Sequence, residues 1–543
     1  MDEHRQQDQP TLMPNVRQHP GDEVYSLQLA SSASSLPETK IEEGVDLERQ
    51  ESNELELIKT YDGVSNDLRK DEGLRRVCSH GNVVGWESED DPANPRNWIR
   101  WRKSVALGIV SMGSTFSPLA SSMFAPGVST LLMDFHTSST VLPTLVVSVF
   151  VLGYAAGPLI LGPLSEIYGR APVTNAASVL FFVFTILCAK STSLNMLIGM
   201  RFLAGLVGSS PLTIGGGIIS DLFAPEERGT AVAIFSFGPL VGPVIGPIAG
   251  GFIAETIGWR WVFWILAIAG GITAIGGLLF LQETNAMVLL ERKAEKLRKS
   301  TGNMELHASM NREVSPGTLL LHGIARPFKL LTQSIIVLCL SLYIALIYGY
   351  LYILFTTFTE VFESTYAFNN GTAGLSYLGI GIGFLIGLFI VGNTSDRIFI
   401  YLSKKNGRQL PEYRFPIMIV GAIFVPVGLF WYGWSVERHD HWIVPIIGTT
   451  PFGIGMISAF FPVQVYLIDA FSYYAASALA ATTLLRSLAG AFLPLAGPKM
   501  YAKLGFGWGN SLLGIIALAM LPMPVVFFKY GEKIRLRYPV KLG

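Results

Sequence analysis

Long apolar runs alternate with short polar segments over most of the chain. Runs of about 18 to 25 apolar residues are long enough to cross a hydrocarbon layer of roughly 30 Å as helices. Six such runs precede a charged gap, at 104–126, 142–162, 172–190, 196–222, 229–253 and 261–281. Six more follow it, at 334–358, 372–392, 415–434, 442–467, 476–498 and 507–528. The pattern predicts an all-α membrane protein with twelve transmembrane helices, which we number spans 1 to 12.

The polar segments set the predicted domain organisation. We predict a disordered cytoplasmic tail at 1–85, a six-helix bundle at 86–282, a cytoplasmic linker at 283–333, a second six-helix bundle at 334–530 and a cytoplasmic C-terminal tail at 531–543. The first of these is polar and lacks apolar periodicity, so it cannot bury enough surface to offset its ordering entropy. Basic residues cluster before span 1, in the linker, after span 8 and after span 12. The positive-inside rule then predicts that both termini of this multi-pass membrane protein lie in the cytoplasm. We expect the plasma membrane as its location, and the sequence does not distinguish it from the vacuolar membrane.

Composition agrees with this class and narrows the partners. The chain is 50% hydrophobic and 15% charged, against roughly 25% charged residues in soluble domains. The formal net charge is zero, so nothing indicates a nucleic-acid partner. Three scattered cysteines are too few for a disulfide or zinc framework, and we predict no metal site.

The two sets of six spans contain an internal repeat. The segment 162–166 after span 2 aligns with 392–396 after span 8, with Gly, Ser and an acid in register. Asp221 after span 4 aligns in the same way with Asp469 after span 10. Two matches in the same order indicate a duplication and predict two pseudo-symmetric six-helix bundles that rock around a site between them.

The loop after span 2 resembles a known family signature. Residues 162–170 read G-P-L-S-E-I-Y-G-R, similar to the G-x-L-x-D-x-x-G-R loop of the major facilitator superfamily, with Glu166 in place of the usual Asp. The resemblance implies the major facilitator fold and an inner gate, in which the acid is thought to meet the N-terminal end of span 11 and its helix dipole. Asp221 is a candidate partner for Arg170. The predicted inner-gate residues are Gly162, Glu166, Gly169, Arg170 and Asp396.

Span 5 carries a Gly-Pro pattern with a period of four residues. The pattern comprises Gly238, Pro239, Gly242, Pro243, Gly246, Pro247, Gly250 and Gly251. This spacing puts the glycines on one helix face for close helix contact, and the prolines remove backbone donors and soften the helix. The pattern resembles the span 5 motif of the superfamily's antiporters, although a packing groove alone also explains it.

Two arginines lie inside predicted spans, where a charge is costly and is usually retained for function. Arg201 in span 4 matches the Arg of the family's R-x-x-x-G motif, which is implicated in proton coupling, and Arg486 lies near the middle of span 11. We predict transport or coupling roles for Arg201, Arg486 and Asp221, with helix-to-helix hydrogen bonding as the alternative for the two arginines.

The predicted cargo site lies between the halves. Its candidate residues, which could equally pack or face lipid, are Tyr343, Tyr348, Tyr350, Phe460, Phe461 and Gln464. No acidic residue lies in the middle of a predicted span, which favours a neutral or weakly charged amphipathic cargo over a polycation and identifies no proton carrier. Asn370 begins a glycosylation sequon in the predicted outer loop after span 7.

A finer resemblance narrows the family. The run W-E-x-E-D-D-P-x-N-P-x-N-W at 86–98 and S-S-M-F-A-P-G at 121–127 look like those of fungal twelve-span drug:proton antiporters, a group of drug-resistance pumps, polyamine exporters and secondary-metabolite exporters. It implies a monomeric efflux transporter that uses the proton gradient, lipid and a small-molecule substrate, with no cofactor. The chain lacks the G-x-x-x-x-G-K, H-E-x-x-H and G-x-S-x-G patterns of enzymes. A nutrient importer, a polyamine exporter and a receptor or scaffold are the alternatives.

Overall fold

The computed structural model describes residues 82–88, 90–136, 141–224, 227–310, 316–471 and 474–538. Apart from 82–85, the predicted tail at 1–85 lies outside the described residues, as do the last five positions of the chain. The predicted domain boundaries therefore stay predictions at both ends.

Spans 1 to 6 form the first half of the protein. Their helices are Arg100–Ser122 with Val128–Phe135, Val141–Tyr168, Arg170–Ala189, Leu194–Gly208 with Ser210–Leu222, Arg228–Thr256 and Trp259–Phe280. Span 1 is broken near its end by a short 3-10 turn at Ala125–Gly127, which contains a proline. A proline cannot donate the helical hydrogen bond, so the break leaves carbonyl groups of span 1 free for other donors.

Spans 7 to 12 form the second half. Spans 7 to 10 are Ile335–Tyr366, Asn370–Gly374 with Leu378–Asn406, Phe415–Glu437 and Ile443–Phe471. Spans 11 and 12 are made by Ala475–Phe492, Gly497–Ala519 and Pro522–Arg537, with the boundary between them at a break inside the second of these helices. Short 3-10 turns lie at Pro95–Asn97, Leu375–Tyr377, Pro411–Arg414 and Leu493–Ala496. The last helix continues to Arg537, beyond the predicted end of the second bundle, and its Arg535 Nε donates to the buried Glu412 carboxylate at 3.2 Å.

Eleven stretches in the described residues are long and apolar enough to span a membrane, and the last, Ala475–Arg537, holds two spans. The helix breaks at Gly505, where φ is 72°. The Tyr501 hydroxyl donates to the Asn510 side-chain oxygen at 3.1 Å. Nine residues of continuous helix would separate these residues by about 13.5 Å, so the chain reverses there. The fold of twelve membrane-spanning helices agrees with the prediction.

Span 6 shows how the helices divide their faces between protein and lipid. Ile268, Ile272, Ile275 and Leu279 are 56–69% exposed and recur at helical spacing along one side. Large apolar side chains left exposed in this way fit a lipid environment. Leu266 and the glycines of the opposite side are buried against the first half.

The predicted linker at 283–333 is folded in its described part. It contains helices at Ala286–Thr301 and Pro316–Gln333, and its strand His307–Ala308 pairs in parallel with Val83–Val84. Lys293 of the first linker helix lies 3.0 Å from the Glu87 carboxylate. The chain just before span 1 is therefore attached to the linker.

We name the two ends of the helical bundle after residues at them. The Arg170 face is the end where span 2 gives way to span 3, and the Asn370 face is the end where span 7 gives way to span 8. The positive-inside pattern predicts that the Arg170 face is cytoplasmic.

Candidate functional site

Arg201 is buried among backbone carbonyl groups. It is 1% exposed, and its Nε donates to the Val146 carbonyl at 2.7 Å. Its Nη atoms donate to the carbonyls of Ala120 and Ser121, both at 3.3 Å, and of Val147 at 3.5 Å. Ala120 and Ser121 lie in the last turn of the first span 1 helix, where carbonyls lack helical donors. Arg201 thus joins span 4 to spans 1 and 2.

Aromatic rings complete the surroundings of Arg201. The guanidinium carbon lies 5.7 Å from the ring centre of Phe124, 5.1 Å from Phe150 and 5.6 Å from Phe263. Ring faces attract cations, so dipoles and rings stabilise a charge that no carboxylate neutralises within the described chain. This geometry favours the helix-to-helix hydrogen-bonding alternative, and the coupling role of Arg201 stays a prediction.

The loop signature forms a polar network at the Arg170 face. Arg170 Nε lies 3.5 Å from the Asp221 carboxylate, the pair predicted from the sequence, and Arg170 Nη1 donates to Ser165 Oγ at 2.7 Å. Gly169 makes the turn between spans 2 and 3 with φ of 109°, a conformation that other residues rarely adopt. Gly162 instead lies within the span 2 helix with room for a Cβ, so the turn does not depend on it. Glu166 is exposed at the same face, and its gating role stays a prediction.

Glu283 is the residue of this network that the sequence reasoning missed. Its carboxylate accepts backbone N–H groups of Arg170 at 2.8 Å and Ala171 at 3.3 Å. It also accepts those of Thr284 at 3.0 Å and Asn285 at 2.8 Å. An anion at the start of span 3 satisfies donors that the helix leaves open. The available signal was a lone acid directly after span 6.

The second half repeats this arrangement with different residues. Arg414 precedes span 9 as Arg170 opens span 3, and it pairs with Asp396 and, at 3.4 Å, with Asp469. The Arg414 guanidinium also lies 4.3 Å from the Phe399 ring centre. Asp221 and Asp469, which the repeat aligns, therefore pair with corresponding arginines in the two halves. The arginine that Asp396 and Asp469 share, Arg414, lies 18 residues after Asp396 in the chain.

The glycine face of span 5 packs against span 1. A Cβ at Gly238, Gly242, Gly246 or Gly250 would overlap atoms of the span 1 segment 115–123. Helix Arg228–Thr256 nevertheless stays continuous across its prolines. The face serves close packing within the first half, and its antiporter role stays a prediction.

The two halves meet directly at the Asn370 face. Gly371 N–H donates to the Glu255 carboxylate at 2.8 Å, and Ser129 Oγ donates to Asn370 Oδ1 at 3.1 Å. A Cβ on Gly251 would overlap the Asn370 carbonyl. The sequon asparagine therefore lies in a contact between the halves rather than in a free loop.

Deeper in the membrane, spans 1 and 7 are joined by a hydroxyl pair. Ser121 Oγ and the Tyr352 hydroxyl are 2.9 Å apart and both are buried. The Tyr348 ring lies one helical turn before Tyr352, with ring centres 5.1 Å apart. On the other side of Tyr348, the Arg486 guanidinium lies 4.8 Å from its ring centre and 5.1 Å from that of Phe460.

The structure separates the predicted cargo residues into two groups. Tyr343 and Tyr350 are 3% and 1% exposed and belong to a hydrophobic core made mostly of second-half residues, so they pack in this conformation. Tyr348, Phe460, Phe461 and Gln464 are only partly buried. Of these, Tyr348 and Phe460 contact Arg486.

Comparison with known proteins decides the family. The family model of the Major Facilitator Superfamily matches residues 110–494. The chain belongs to the major facilitator superfamily. It is a multi-pass membrane transporter, as members of this superfamily are, and not an enzyme.

Fungal transporters resemble this member of the superfamily over most of its length. The MFS-type transporter penM of Penicillium rubens is 53% identical, with 86% of this chain and 92% of that protein covered. The efflux pump radE of Floropilus chiversii is 49% identical, with 85% and 86% covered. The MFS-type transporter hepF of Aspergillus oryzae is 48% identical, with 86% and 96% covered.

Solved structures support the same fold. The xylose transporter XylE from E. coli, in a partially occluded inward open conformation, matches with a TM-score of 0.57 at 17% identity. The match covers 79% of this chain and 98% of that one. At this identity the likeness shows the major facilitator fold alone.

Proposed function

We propose that this transporter exports small amphipathic organic molecules from the cytoplasm and is driven by the proton gradient. The cargo class comprises drugs, fungicides, toxins or secondary metabolites such as mycotoxins. The observation that carries the proposal is the 49% identity to a protein named an efflux pump, over 85% of the chain. A plasma-membrane location, a monomeric state, cytoplasmic termini and the absence of a cofactor belong to the same proposal.

The packing of span 5 supports an exchange mechanism. Its glycine face lies close against span 1 along the first half, and its end carries Gly251 and Glu255 to the second half. A smooth, closely packed helix can tilt as one body while it excludes water between the helices. Such a helix would let the two halves change between inward-facing and outward-facing arrangements around the cargo without a proton leak.

The distribution of acids supports this cargo class over polyamines. In the described spans, the acids lie toward the ends, as Glu255 and Glu363 do at the Asn370 face and Asp221 does at the Arg170 face. A polycation would need carboxylates along its path. The protein surface between the halves instead presents aromatic rings and an arginine.

We also propose that Asn370 is glycosylated, and this rests only on the predicted topology, which puts the Asn370 face outside the cell. Its side chain accepts from Ser129 in the closed contact at the Asn370 face. Attachment of a glycan would therefore require that this contact open during synthesis or transport. A glycosidase-sensitive shift in mass that is lost in Asn370→Gln would support an extracellular Asn370 face.

The proposed function is tested in yeast that lacks its own drug pumps. We expect that expression of the chain lowers cellular accumulation of a hydrophobic toxin, and that a protonophore abolishes the difference. Vector-only cells and cells expressing Lys404→Gln, which changes an exposed lysine at the end of span 8, are the controls. A rise in accumulation would instead favour the importer alternative.

A further inference from the structure

Arg486 is a cation that lacks a protein counter-ion. Its Nε is enclosed by protein and has no hydrogen-bond acceptor, and within the described residues no carboxylate pairs with it. Arg201, the other arginine inside a span, is satisfied by four backbone carbonyls. The hydrogen-bond donors of the arginine are therefore satisfied at one site and left open at the other.

Arg486 lies on the wall between the two halves. Gly490 follows it by one helical turn on the same face of span 11, and a Cβ there would lie 3.0 Å from the Tyr348 ring and 3.2 Å from Val151. Val151 belongs to span 2 of the first half. Tyr348 in turn neighbours Tyr352, which bonds to span 1. The open guanidinium thus lies where cargo would be held between the halves.

Tyr348 and Phe460 make this position suitable for an aromatic or otherwise apolar acid. The guanidinium contacts both rings, at 4.8 and 5.1 Å. Contacts with ring faces stabilise the cation but use none of its N–H donors as hydrogen bonds to oxygen. Five donors in a planar fork match the two oxygens of a carboxylate or related oxyanion. The two partly buried rings add apolar surface beside the charge.

An unpaired charge at membrane depth is costly, and such groups pair with each other or mark a substrate path. The cargo can supply the missing charge because no acid lies near Arg486 in the described spans. We infer that Arg486, Tyr348 and Phe460 bind the oxyanion of an amphipathic organic acid. The inference rests on the proposed function for the location of cargo and deepens it by naming the cargo as a weak acid that binds as its anion.

The test uses a matched pair of fluorescent probes, 1-pyrenebutyrate and its neutral amide, 1-pyrenebutyramide. Equilibrium binding is measured with the purified full chain in neutral detergent at pH 7.5, with empty micelles subtracted. We expect the wild type to bind the carboxylate about tenfold or more tightly than the amide. In Arg486→Gln that affinity should fall by about tenfold or more, as for the loss of a buried charge partner, while amide binding stays within about twofold.

Two further variants control for folding and for net charge. Arg486→Lys keeps the charge but loses the planar fork, so we expect a reduced preference for the carboxylate rather than none. Lys404→Gln removes one exposed positive charge outside the interface and should bind both probes as the wild type does. If Arg486→Gln does not fold, the comparison of Arg486→Lys with the wild type still tests the site.

Several results would overturn the anion site. These are equal binding of the two probes by the wild type, no binding of the carboxylate, or a preference that survives in Arg486→Gln. The proposed function is separate because the binding measurement needs no gradient. A selective anion site in a protein that moves no solute against a pH difference would leave this inference standing and remove proton-driven efflux.

Discussion

Arg201 shows how a membrane helix bundle can hold a charge without a counter-ion. Its four donor contacts reach carbonyls of two neighbouring spans, and three aromatic rings surround it. We predict that Arg201→Ala lowers the free energy of unfolding by about 2–4 kcal/mol, since interhelical hydrogen bonds in membranes average about 0.6 kcal/mol each and a cavity adds to the loss. Heat- or SDS-induced unfolding of the purified protein measures this change.

Arg486→Ala is the matched control for this prediction. It deletes the same side chain where Nε has no acceptor in the described chain and the residue is only partly buried, so it should change the free energy of unfolding by less than about 1 kcal/mol. If Arg201→Ala unfolds like the wild type yet stops efflux, a direct role in coupling replaces the structural one.

Glu283 makes a second prediction at the residue scale. Glu283→Ala removes the acceptor of four backbone N–H groups, two at the start of span 3 and two in the turn that follows Glu283 itself. We expect a loss of about 1–3 kcal/mol, in the upper range of helix-cap deletions, measured by thermal unfolding. Glu291→Ala removes only a surface ion pair with Arg298 and should cost below about 1 kcal/mol. Equal losses in the two variants would contradict the capping role.

The sequence predicted the residues that belong to a recognisable motif or to the internal repeat. Arg170 and Asp221 could be paired because the loop signature and the repeat place both at one face. Glu283 was missed because its role depends on the end of span 6 meeting the start of span 3, which no spacing records. Arg414 was missed for the same reason, since its acids lie on spans 8 and 10.

At the element scale, helical periodicity could have sorted the tyrosines of span 7. Tyr343 and Tyr350 are seven residues apart and so share a face, and both side chains are buried in the structure. Tyr348 and Tyr352 are four apart and share another face, which meets Arg486 and span 1. Composition alone groups all four, whereas the 3.6-residue period separates them.

Span 5 gives a prediction about packing of an element. In Gly242→Val, the new side chain would meet the Thr115 carbonyl and the Leu119 backbone nitrogen, since even a Cβ would lie 2.9 and 3.1 Å from them. Because backbone atoms cannot move aside, we expect a loss of about 1–3 kcal/mol, the usual range for overpacking. The yield of folded protein and its thermal unfolding measure the effect.

Gly216→Val is the control for span 5. Gly216 lies in span 4, and a Cβ there meets no atom within 4 Å. The variant should unfold as the wild type does. If Gly242→Val is equally stable, the two helices are not held as closely as the structure describes.

At the scale of the whole molecule, the two halves form distinct contacts at the two ends. At the Asn370 face, spans 5 and 8 touch directly through Glu255 and Gly371. At the Arg170 face, the second linker helix packs between spans, with Gly323 against Pro163 and Arg326 over the Tyr474 ring. The linker helix therefore contacts both halves at this face and does more than connect them.

Gly374 allows the Asn370 face to close, and its replacement tests alternating access. A Cβ on Gly374 would lie 2.7 Å from the Pro247 carbonyl across the interface. The larger side chain of Gly374→Leu would therefore clash there and hold the two halves apart at this face. We predict that Ser129→Cys, in a background without the three native cysteines, is labelled several-fold faster by a membrane-impermeant maleimide applied outside when Gly374→Leu is present, and that efflux falls. Gly216→Leu, at a position open to space, should leave labelling unchanged. Labelling from the cytoplasmic side alone would reverse the predicted orientation, and unchanged labelling of folded Gly374→Leu would show that this contact does not gate access to the interface.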